Sequence, residues 1–217
     1  MTTSARSVII DGVMGKIAVK QTTDQYQIFC DLDGVLVELI GGINDAIYND
    51  PRPGASTRYI KAQADAREAL NGQPLKQEFV DSKHENFLKP VRDFMMRVMT
   101  TDRRFWMNLD WTEDGQELWE YIKDFNPIVL SIPTDLQSVI GKKKWVKDNL
   151  GLSRNRVQIR YQKAPYAQYE DKTGLLIDDF VKNIKLFGEA GGETIHFTSA
   201  RQAIEALKEY GFGRTAT

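Results

Sequence analysis

From residue 116 onward, amphipathic segments alternate with short apolar runs. The amphipathic segments, with apolar residues at helical spacing, predict helices over 116–123, 134–150, 181–190 and 199–210. The apolar runs predict strands over 127–131, 157–161, 174–177 and 193–197. This alternation is typical of a parallel sheet with right-handed helical crossovers. We therefore expect an α/β fold in which the carboxyl ends of the strands lie along one edge.

An earlier apolar run, Gln27-Ile28-Phe29-Cys30, predicts a buried strand and stops at Asp31-Leu32-Asp33-Gly34. Two carboxylates in such a place repel each other and lose solvation, so they require a cation, a proton or both. The alternative is an Asx-type turn, which Asp-Gly pairs often form. Asp11-Gly12 is expected to be a simple turn of that kind, joining strands over 7–10 and 13–19 in a hairpin.

Two later apolar runs also stop at polar side chains. The run 127–130 ends at Ser131, whose hydroxyl is placed to bind a phosphoryl oxygen. The run 174–177 ends at Asp178-Asp179, and paired carboxylates suit a Mg²⁺ site with several waters. The alternatives are structural, because Ser and Asp are also common helix caps and turn residues.

The order Asp31-Leu32-Asp33-Gly34-Val35-Leu36 resembles the first motif of the haloacid dehalogenase (HAD) superfamily, D-x-D-G-[TV]-[LV]. The resemblance implies a Rossmann-like parallel sheet flanked by helices. It also implies that Asp31 is the nucleophile and that Asp33 is the general acid and base. Mg²⁺ would be bound by Asp31, the backbone carbonyl of Asp33 and Asp179, with Asp178 close by.

The superfamily also uses a phosphate-binding lysine, for which Lys142, Lys143, Lys144 and Lys163 are candidates. On a helix over 134–150, helical spacing does not separate Lys142 from Lys143. The spacing K-x-x-W-V, the phrase Phe105-Trp106-Met107-Asn108-Leu109 and the phrase Leu175-Leu176-Ile177-Asp178-Asp179 resemble the 5'(3')-deoxyribonucleotidase branch. In that branch the lysine three residues before the tryptophan binds phosphate, which indicates Lys142 together with Ser131. Lys143 remains a rival.

Residues 41–104 break the alternating pattern. They contain Pro51-Arg52-Pro53-Gly54 and predict helices over 56–70 and 83–99. An insertion directly after the first motif resembles the helical cap of HAD phosphatases, so we divide the chain into a core (1–40 and 105–217) and a cap (41–104). The alternative is a helical subdomain with only a packing role.

Gly41-Gly42 is a candidate hinge for that cap. Several aromatic residues in or near the cap are candidates for stacking on a nucleobase, although aromatics at helical spacing more often belong to the core, and none is assigned individually. They are Phe79, Phe87, Phe94, Phe105 and Trp106.

The composition adds mainly exclusions. The 217 residues are 41% hydrophobic and carry a formal net charge of −1, which gives no argument for a nucleic-acid or membrane surface. No apolar run approaches the ~20 residues needed to span a bilayer. Cys30, the single cysteine, excludes an internal disulfide, suits a reducing cytoplasm and is expected to be buried. His84 is expected at the surface and His196 on a late strand.

These observations predict a Mg²⁺-dependent phosphomonoester hydrolase acting through an aspartyl-phosphate. The preferred substrate class is (deoxy)ribonucleoside monophosphates, as for a 5'-nucleotidase. One alternative is a HAD phosphatase of a sugar phosphate or a nucleic-acid 3'-phosphate. Another is a non-catalytic binding module with this fold. A dehalogenase is disfavoured, because that chemistry does not need Asp33 as a second acid or a Mg²⁺ ion.

Overall fold

The computed structural model describes residues 7–10, 13–16, 22–49, 55–76 and 88–213. The chain begins with an antiparallel pair, β1 (Ser7–Ile10) and β2 (Val13–Lys16). Ile10 pairs with Val13, which is the register expected for a hairpin with a two-residue connection. The connecting Asp11-Gly12 lies outside the described residues.

The centre of the molecule is a parallel sheet with the strand order β5-β4-β3-β7-β8. The strands are β3 (Tyr26–Cys30), β4 (Ile128–Ser131), β5 (Val157–Ile159), β7 (Lys172–Asp178) and β8 (Glu193–His196). A sixth strand of two residues, β6 (Gln168–Tyr169), pairs antiparallel with the start of β7. This arrangement confirms the predicted fold class, a Rossmann-like parallel sheet flanked by helices.

The sheet is buried on both faces, as expected for parallel strands covered by helices. Along β3, Phe29 packs on one face in a cluster with Leu176 and Phe187. The neighbouring Ile28 and Cys30 belong to the larger cluster on the other face. This two-sided burial explains why the strands are continuous apolar runs in the sequence.

Helices occupy most of the remaining described chain. They are α1 (Leu39–Tyr48), α2 (Thr57–Ala69), α3 (Lys89–Thr101), α4 (Arg103–Met107), α5 (Gly115–Ile122), α6 (Leu136–Leu150), α7 (Val181–Glu189) and α8 (Ala200–Glu209). Side-chain caps fix several of their starts: Ser56 accepts from the backbone N–H of Tyr59, and Asp135 forms a capping box with Ser138. None of the helices in the described ranges is long and apolar enough to cross a membrane.

Helix α1 was not predicted from the sequence, because Gly41-Gly42 indicated a hinge. Both glycines lie inside the first turn of α1, where the side chain of Glu38 accepts a hydrogen bond from the N–H of Gly41 at 3.0 Å. A Cβ on Gly42 would overlap the side chain of Leu109. Gly42 therefore allows close packing of the helix, and the hinge at Gly41-Gly42 stays a prediction.

Helices α1, α2 and α3 pack against one another. The rings of Tyr59 in α2 and Phe94 in α3 are 5.3 Å apart. Arg67 in α2 donates to the carbonyl of Ile47 in α1 at 2.6 Å. Ile43 of α1 and Phe94 of α3 also belong to the same hydrophobic cluster as the strand residue Ile28. This helical layer is thus packed onto the sheet domain through apolar side chains.

Candidate active site at the carboxyl ends of the strands

The structure brings the chemical groups predicted from the sequence to one edge of the sheet. Asp31 follows β3, Ser131 is the last residue of β4 and Asp178 is the last residue of β7. The three strands are neighbours, and the backbone N–H of Asp31 donates to the carbonyl of Ile177 at 2.9 Å. In open α/β sheets, ligands bind outside the carboxyl ends of the strands. This edge is therefore the candidate active site.

Lys163 connects two of the carboxylates. Its Nζ lies 2.8 Å from Asp31 Oδ2 and 2.5 Å from Asp178 Oδ2, and the residue is only 3% exposed. Burial lowers the pKa of Lys163, but the two carboxylates outweigh burial, and its pKa is raised. Lys163 is therefore a fixed positive charge between Asp31 and Asp178. The other carboxylate oxygen of Asp31, Oδ1, accepts from the N–H of Leu32 at 2.7 Å.

Lys142 occupies a second, separate position in the site. Its Nζ donates to Asp33 Oδ2 at 2.6 Å, to Ser131 Oγ at 3.1 Å and to the carbonyl of Ile132 at 2.5 Å. The ammonium group also lies 4.6 Å from the centre of the Trp106 ring, a cation–π distance. Lys142, which is 1% exposed, thus links Asp33 to Ser131 through its ammonium group.

The rival lysines are thus separated by burial. Lys143 and Lys144 are exposed on α6, whereas Lys142 and Lys163 are both buried in the site. Sequence reasoning treated Lys163 as a rival of Lys142, and the structure places both beside carboxylates. The sequence feature that could have identified Lys163 is its position four residues after the end of β5, because β5 also ends at this edge of the sheet.

Asp178 is held by several donors of the protein. Its Oδ1 accepts from the backbone N–H of Phe180 at 2.9 Å, and the side-chain amide of Asn183 lies 3.1–3.2 Å from both of its oxygens. Phe180 is the N-cap of α7, so Asp178 also supports the start of that helix. The start of α7 has no side-chain capping hydrogen bond, so Asp178 does not cap this helix, and the capping alternative is wrong for Asp178.

Asp179 lies directly against Gly34. A Cβ on Gly34 would overlap Oδ2 of Asp179, and the φ angle of Gly34 is +74°. Both the left-handed backbone and the close approach require glycine at this position. The D-x-D-G segment and the Asp178-Asp179 pair consequently contact each other through Gly34 and Asp179.

Three carboxyl groups of the site, those of Asp33, Asp178 and Asp179, have raised pKa values. Burial raises the pKa of Asp33, and Asp31 adds to the shift, although Lys142 opposes it. Burial and the nearby Asp31 raise the pKa of Asp178 to about 6, against the effect of Lys163. Burial, Asp31 and Asp178 raise the pKa of Asp179 to about 8. The raised values reflect burial and the crowding of carboxyl groups, since four aspartates share the site with two buried lysines.

The donor set fits a hard divalent cation. Oxygen atoms of Asp31, Asp178 and Asp179 all lie within 4.8 Å of one another. Asp33 Oδ1 is buried and has no hydrogen-bond partner among the described residues. Carboxylate oxygens are the ligands that Mg²⁺ prefers, and a Mg²⁺ site commonly uses one or two of them. The residues present are thus suited to Mg²⁺.

A cavity of about 710 Å³ opens over these groups. Its polar floor includes Asp31, Asp33, Lys163 and Asp179, and its walls come from the start of α1, the loop after β5 and the start of α7. A second cavity of about 510 Å³ adjoins it and shares Gly34 and Asp179. The larger volume falls within the range of small-molecule sites.

Cys30 and His196 lie near the site without joining its chemistry. Burial raises the pKa of the Cys30 thiol, which lies 3.3 Å from the carbonyl of Asp31, so the thiol stays protonated. His196 ends β8 as expected, is exposed, and its Nε2 lies 2.9 Å from the backbone carbonyl of Asp179. His84 is outside the described residues.

Five aromatic residues were candidates for stacking on a nucleobase, and those that lie within the described residues do not line the cavity. Phe94, Phe105 and Trp106 are buried in the hydrophobic core. Phe79 and Phe87 lie outside the described residues. Sequence reasoning missed two other aromatics, Tyr161 and Phe180, which do line the cavity. Tyr161 lies two residues before Lys163 and Phe180 directly follows Asp179, and this proximity to site residues is the sequence feature that could have identified them.

Comparisons with known proteins give distant structural matches. No protein-family model matches the chain, and no curated protein matches it. A hydrolase from Streptococcus pneumoniae TIGR4 is 17% identical, with 85% of this chain and 98% of that chain covered and a TM-score of 0.48. YfnB of Bacillus subtilis, described as a HAD-hydrolase bound to magnesium, is 11% identical, with coverages of 86% and 99% and a TM-score of 0.47.

A protein from Thermotoga maritima described as a beta-phosphoglucomutase is also similar. It is 15% identical, with 85% of this chain and 99% of that chain covered and a TM-score of 0.38. At these identities and TM-scores the matches do not determine the substrate, metal or reaction of this chain.

Proposed function

We propose that the protein is a Mg²⁺-dependent phosphomonoester hydrolase of the HAD type. The observation that carries this proposal is the different surroundings of Asp31 and Asp33. Asp31 lies with Asp178, Asp179 and Lys163, whereas Asp33 lies with Lys142 and Ser131. Two carboxylates of one short motif thus have different partners, which supports two different chemical roles.

Asp31 is the nucleophile in this proposal. Lys163 contacts one of its carboxylate oxygens at 2.8 Å, and the hydrogen bond from the N–H of Leu32 to the other oxygen restricts the rotation of the carboxylate. Attack on phosphorus forms an aspartyl-phosphate on Asp31 and expels the alcohol of the substrate. Hydrolysis of this intermediate then releases phosphate and restores Asp31.

Asp33 is the general acid and then the general base. Its raised pKa favours the protonated form needed to give a proton to the leaving alcohol. The same carboxylate, once ionised, takes a proton from the water that attacks the aspartyl-phosphate. Lys142 orients Asp33 through the contact at 2.6 Å.

Ser131, Lys142 and Lys163 supply donors for the phosphoryl oxygens. The hydroxyl of Ser131 and the ammonium of Lys142 are 3.1 Å apart, so they can bind adjacent oxygens of one phosphoryl group. Asp31 and Asp179, with the backbone carbonyl of Asp33 and with Asp178 close by, would hold Mg²⁺. When bound, Mg²⁺ would neutralise the negative charge of the phosphoryl oxygens.

The substrate class we favour is nucleoside monophosphates, with a preference of the 5'-nucleotidase type. This finer proposal rests on the resemblance of the segments around Trp106, Trp145 and Asp178 to the deoxyribonucleotidase branch. Residues 41–104 would act as the cap. Helix α1 begins two residues before this cap, and its first residues, Leu39 and Ile40, line the cavity. A sugar phosphate remains the alternative substrate, because the same core residues would serve it.

The decisive experiment measures phosphate release with Mg²⁺ for the wild type and for Asp31→Asn. We expect Asp31→Asn to lose all measurable turnover while its melting temperature stays that of a folded protein. Asp33→Asn should lose about 10²–10⁴-fold. Asp24→Asn, a change at an exposed aspartate outside the site, is the matched control and should retain full activity. Unchanged turnover of Asp31→Asn would refute the nucleophile assignment.

The nucleotide preference has its own measurement. Release of phosphate from thymidine 5'-monophosphate is compared with release from glucose 6-phosphate under the same conditions. A higher kcat/KM for the nucleotide supports the finer proposal. A sugar phosphate turned over at least as fast would exclude it and leave the phosphatase activity itself in place.

A further inference from the structure

The mouth of the active-site cavity carries exposed apolar side chains above a charged floor. Tyr161 is 72% exposed, Phe180 is 45% exposed and Leu186 is 45% exposed, and all three line the cavity. Leu39 and Ile40 of α1 line it as well and are half-buried. We call these five residues the apolar rim. The cavity is thus divided into a charged floor and an apolar entrance.

The two aromatic residues of the rim are exceptional in their exposure. Within the described part of the chain, the large hydrophobic side chains that are exposed include only two aromatics, Tyr161 and Phe180. Both lie on the same cavity. Single exposed apolar residues are ordinary, but exposed apolar groups gathered around a cleft indicate a binding surface.

Each aromatic is also tied closely to a charged group of the floor. Tyr161 lies two residues before Lys163, whose ammonium group is fixed between Asp31 and Asp178. Phe180 follows Asp179 directly, and its N–H donates to Asp178 Oδ1 at 2.9 Å. The backbone at Phe180 is therefore anchored by a carboxylate of the floor, and Tyr161 lies two residues from a lysine that is fixed in the floor.

We propose that the apolar rim selects phosphomonoesters whose leaving alcohol carries a flat apolar ring a few bonds from the phosphorus. This inference rests on the proposed function and specifies its substrate class. The volume of about 710 Å³ leaves room for a ring beyond the phosphoryl group. Tyr161 and Phe180 offer ring faces and edges to that group, while Leu39, Ile40 and Leu186 exclude water around it.

The test compares two alkyl phosphates with similar leaving alcohols, 2-phenylethyl phosphate and propyl phosphate. The ratio of their kcat/KM values isolates the contribution of the ring from the chemistry of the phosphoryl group. We expect the wild-type ratio to be about 10 or more. In Tyr161→Ala and Phe180→Ala the ratio should fall by about 2- to 10-fold each, the size of an aromatic contact.

Leu136→Ala is the matched control, because Leu136 is 67% exposed but does not line either cavity. It should leave the ratio at its wild-type value. Because all three substitutions are at exposed positions, melting temperatures should stay close to that of the wild type. A ratio near one in the wild type, or a ratio that falls equally in the control, would overturn the inference.

A second pair of substrates distinguishes the two chemical sources of such a ring. Thymidine 5'-monophosphate is compared with 2-deoxyribose 5-phosphate, which lacks the base. A fall of this ratio in Tyr161→Ala and Phe180→Ala assigns the ring to a nucleobase, and a fall only in the phenylethyl ratio assigns it to an arylalkyl alcohol. Absence of Asp31-dependent phosphate release from all four esters would instead overturn the proposed function.

Discussion

The two buried lysines of the site serve two different carboxylate environments. Lys163 lies between Asp31 and Asp178, so one positive charge is shared by two carboxylates, with Asp179 nearby. Lys142 forms an ion pair with a single carboxylate, that of Asp33, and its other hydrogen bonds are to neutral groups, the Ser131 hydroxyl and the Ile132 carbonyl. The Lys163 side of the site is therefore short of positive charge, and the Lys142 side is balanced.

In the proposed function, this difference lets one edge of a sheet provide both a cation site and a proton-transfer group. An excess of carboxylate oxygen attracts a divalent cation. The protonation of Asp33 is set by opposing effects, because burial raises its pKa and the single lysine beside it, Lys142, lowers it. Asp31 and Asp33 thus have different partners although they are two residues apart, which is the basis of their different roles in the proposed function.

The largest expected effect comes from replacing each lysine with methionine in metal-free protein. Lys163→Met leaves Asp31 and Asp178 without their shared cation, so the free energy of unfolding should fall by about 3–5 kcal/mol. Lys142→Met should cost about 1–3 kcal/mol, because Asp33 keeps 21% side-chain exposure and can recruit water. Urea denaturation with a chelator measures both. Equal losses in the two variants would contradict the comparison.

The metal dependence and pH dependence of stability should follow the charge shortage on the Lys163 side. The pKa values of Asp178 and Asp179, about 6 and about 8, are raised above the ordinary value of 3.8. Between the ordinary and raised values the folded protein binds more protons than the unfolded chain, so its free energy of unfolding falls as pH rises. Mg²⁺ at about 100 times its dissociation constant should restore about 2.7 kcal/mol.

The measurement is thermal unfolding at about pH 5 and about pH 8, each with a chelator and with saturating Mg²⁺. The stabilisation by Mg²⁺ should be larger at the higher pH. Asp179→Asn should flatten the pH dependence of the metal-free protein and weaken its response to Mg²⁺. A pH profile for Asp179→Asn that matches the wild type would show that this carboxyl group does not cause the effect.

A smaller effect is the difference in stability between two glycine variants, which tests the contact between Gly34 and Asp179. Gly34 and Gly72 have nearly the same φ angle, +74° and +72°, but only Gly34 lies against a side chain, that of Asp179. Gly72→Ala should cost about 1–2 kcal/mol for the left-handed backbone alone. Gly34→Ala should cost about 1–3 kcal/mol more, because its methyl group would overlap Asp179.

Denaturation curves of the two glycine variants give these values directly. Gly34→Ala should also reduce the thermal shift caused by Mg²⁺, whereas Gly72→Ala should keep it. If both variants lost the same stability and kept the same Mg²⁺ response, the contact between Gly34 and Asp179 would have no energetic role.

Much of the fold could be predicted from local sequence, because its signals are local. The apolar runs that form β3, β4 and β7 are continuous, since parallel strands are buried on both faces. The starts of α2, α6 and α8 carry serine or aspartate caps that are readable in the sequence. Helix α1 was not predicted, and the glycine at position 42 is explained only by close packing against Leu109, a residue distant in sequence.

The residues of the candidate site likewise fall into those that could be predicted from local sequence and those that could not. Asp31, Ser131 and Asp178 could be proposed from sequence because each stands where an apolar run stops. Lys142 could not be separated from Lys143 by periodicity, because both are near the same face of α6. Burial under Trp106 and contacts to Asp33 and Ser131 distinguish it.

By itself, the sequence determined that carboxylates and a hydroxyl end three strands of a parallel sheet. These positions could be identified locally, because charged groups are costly to bury and stand out where an apolar run stops. Only the tertiary structure decided which lysines face those groups and which aromatics surround the cavity. These choices depend on distances between segments far apart in the chain, such as the 2.8 Å between Lys163 and Asp31. Local patterns carry no information on such distances.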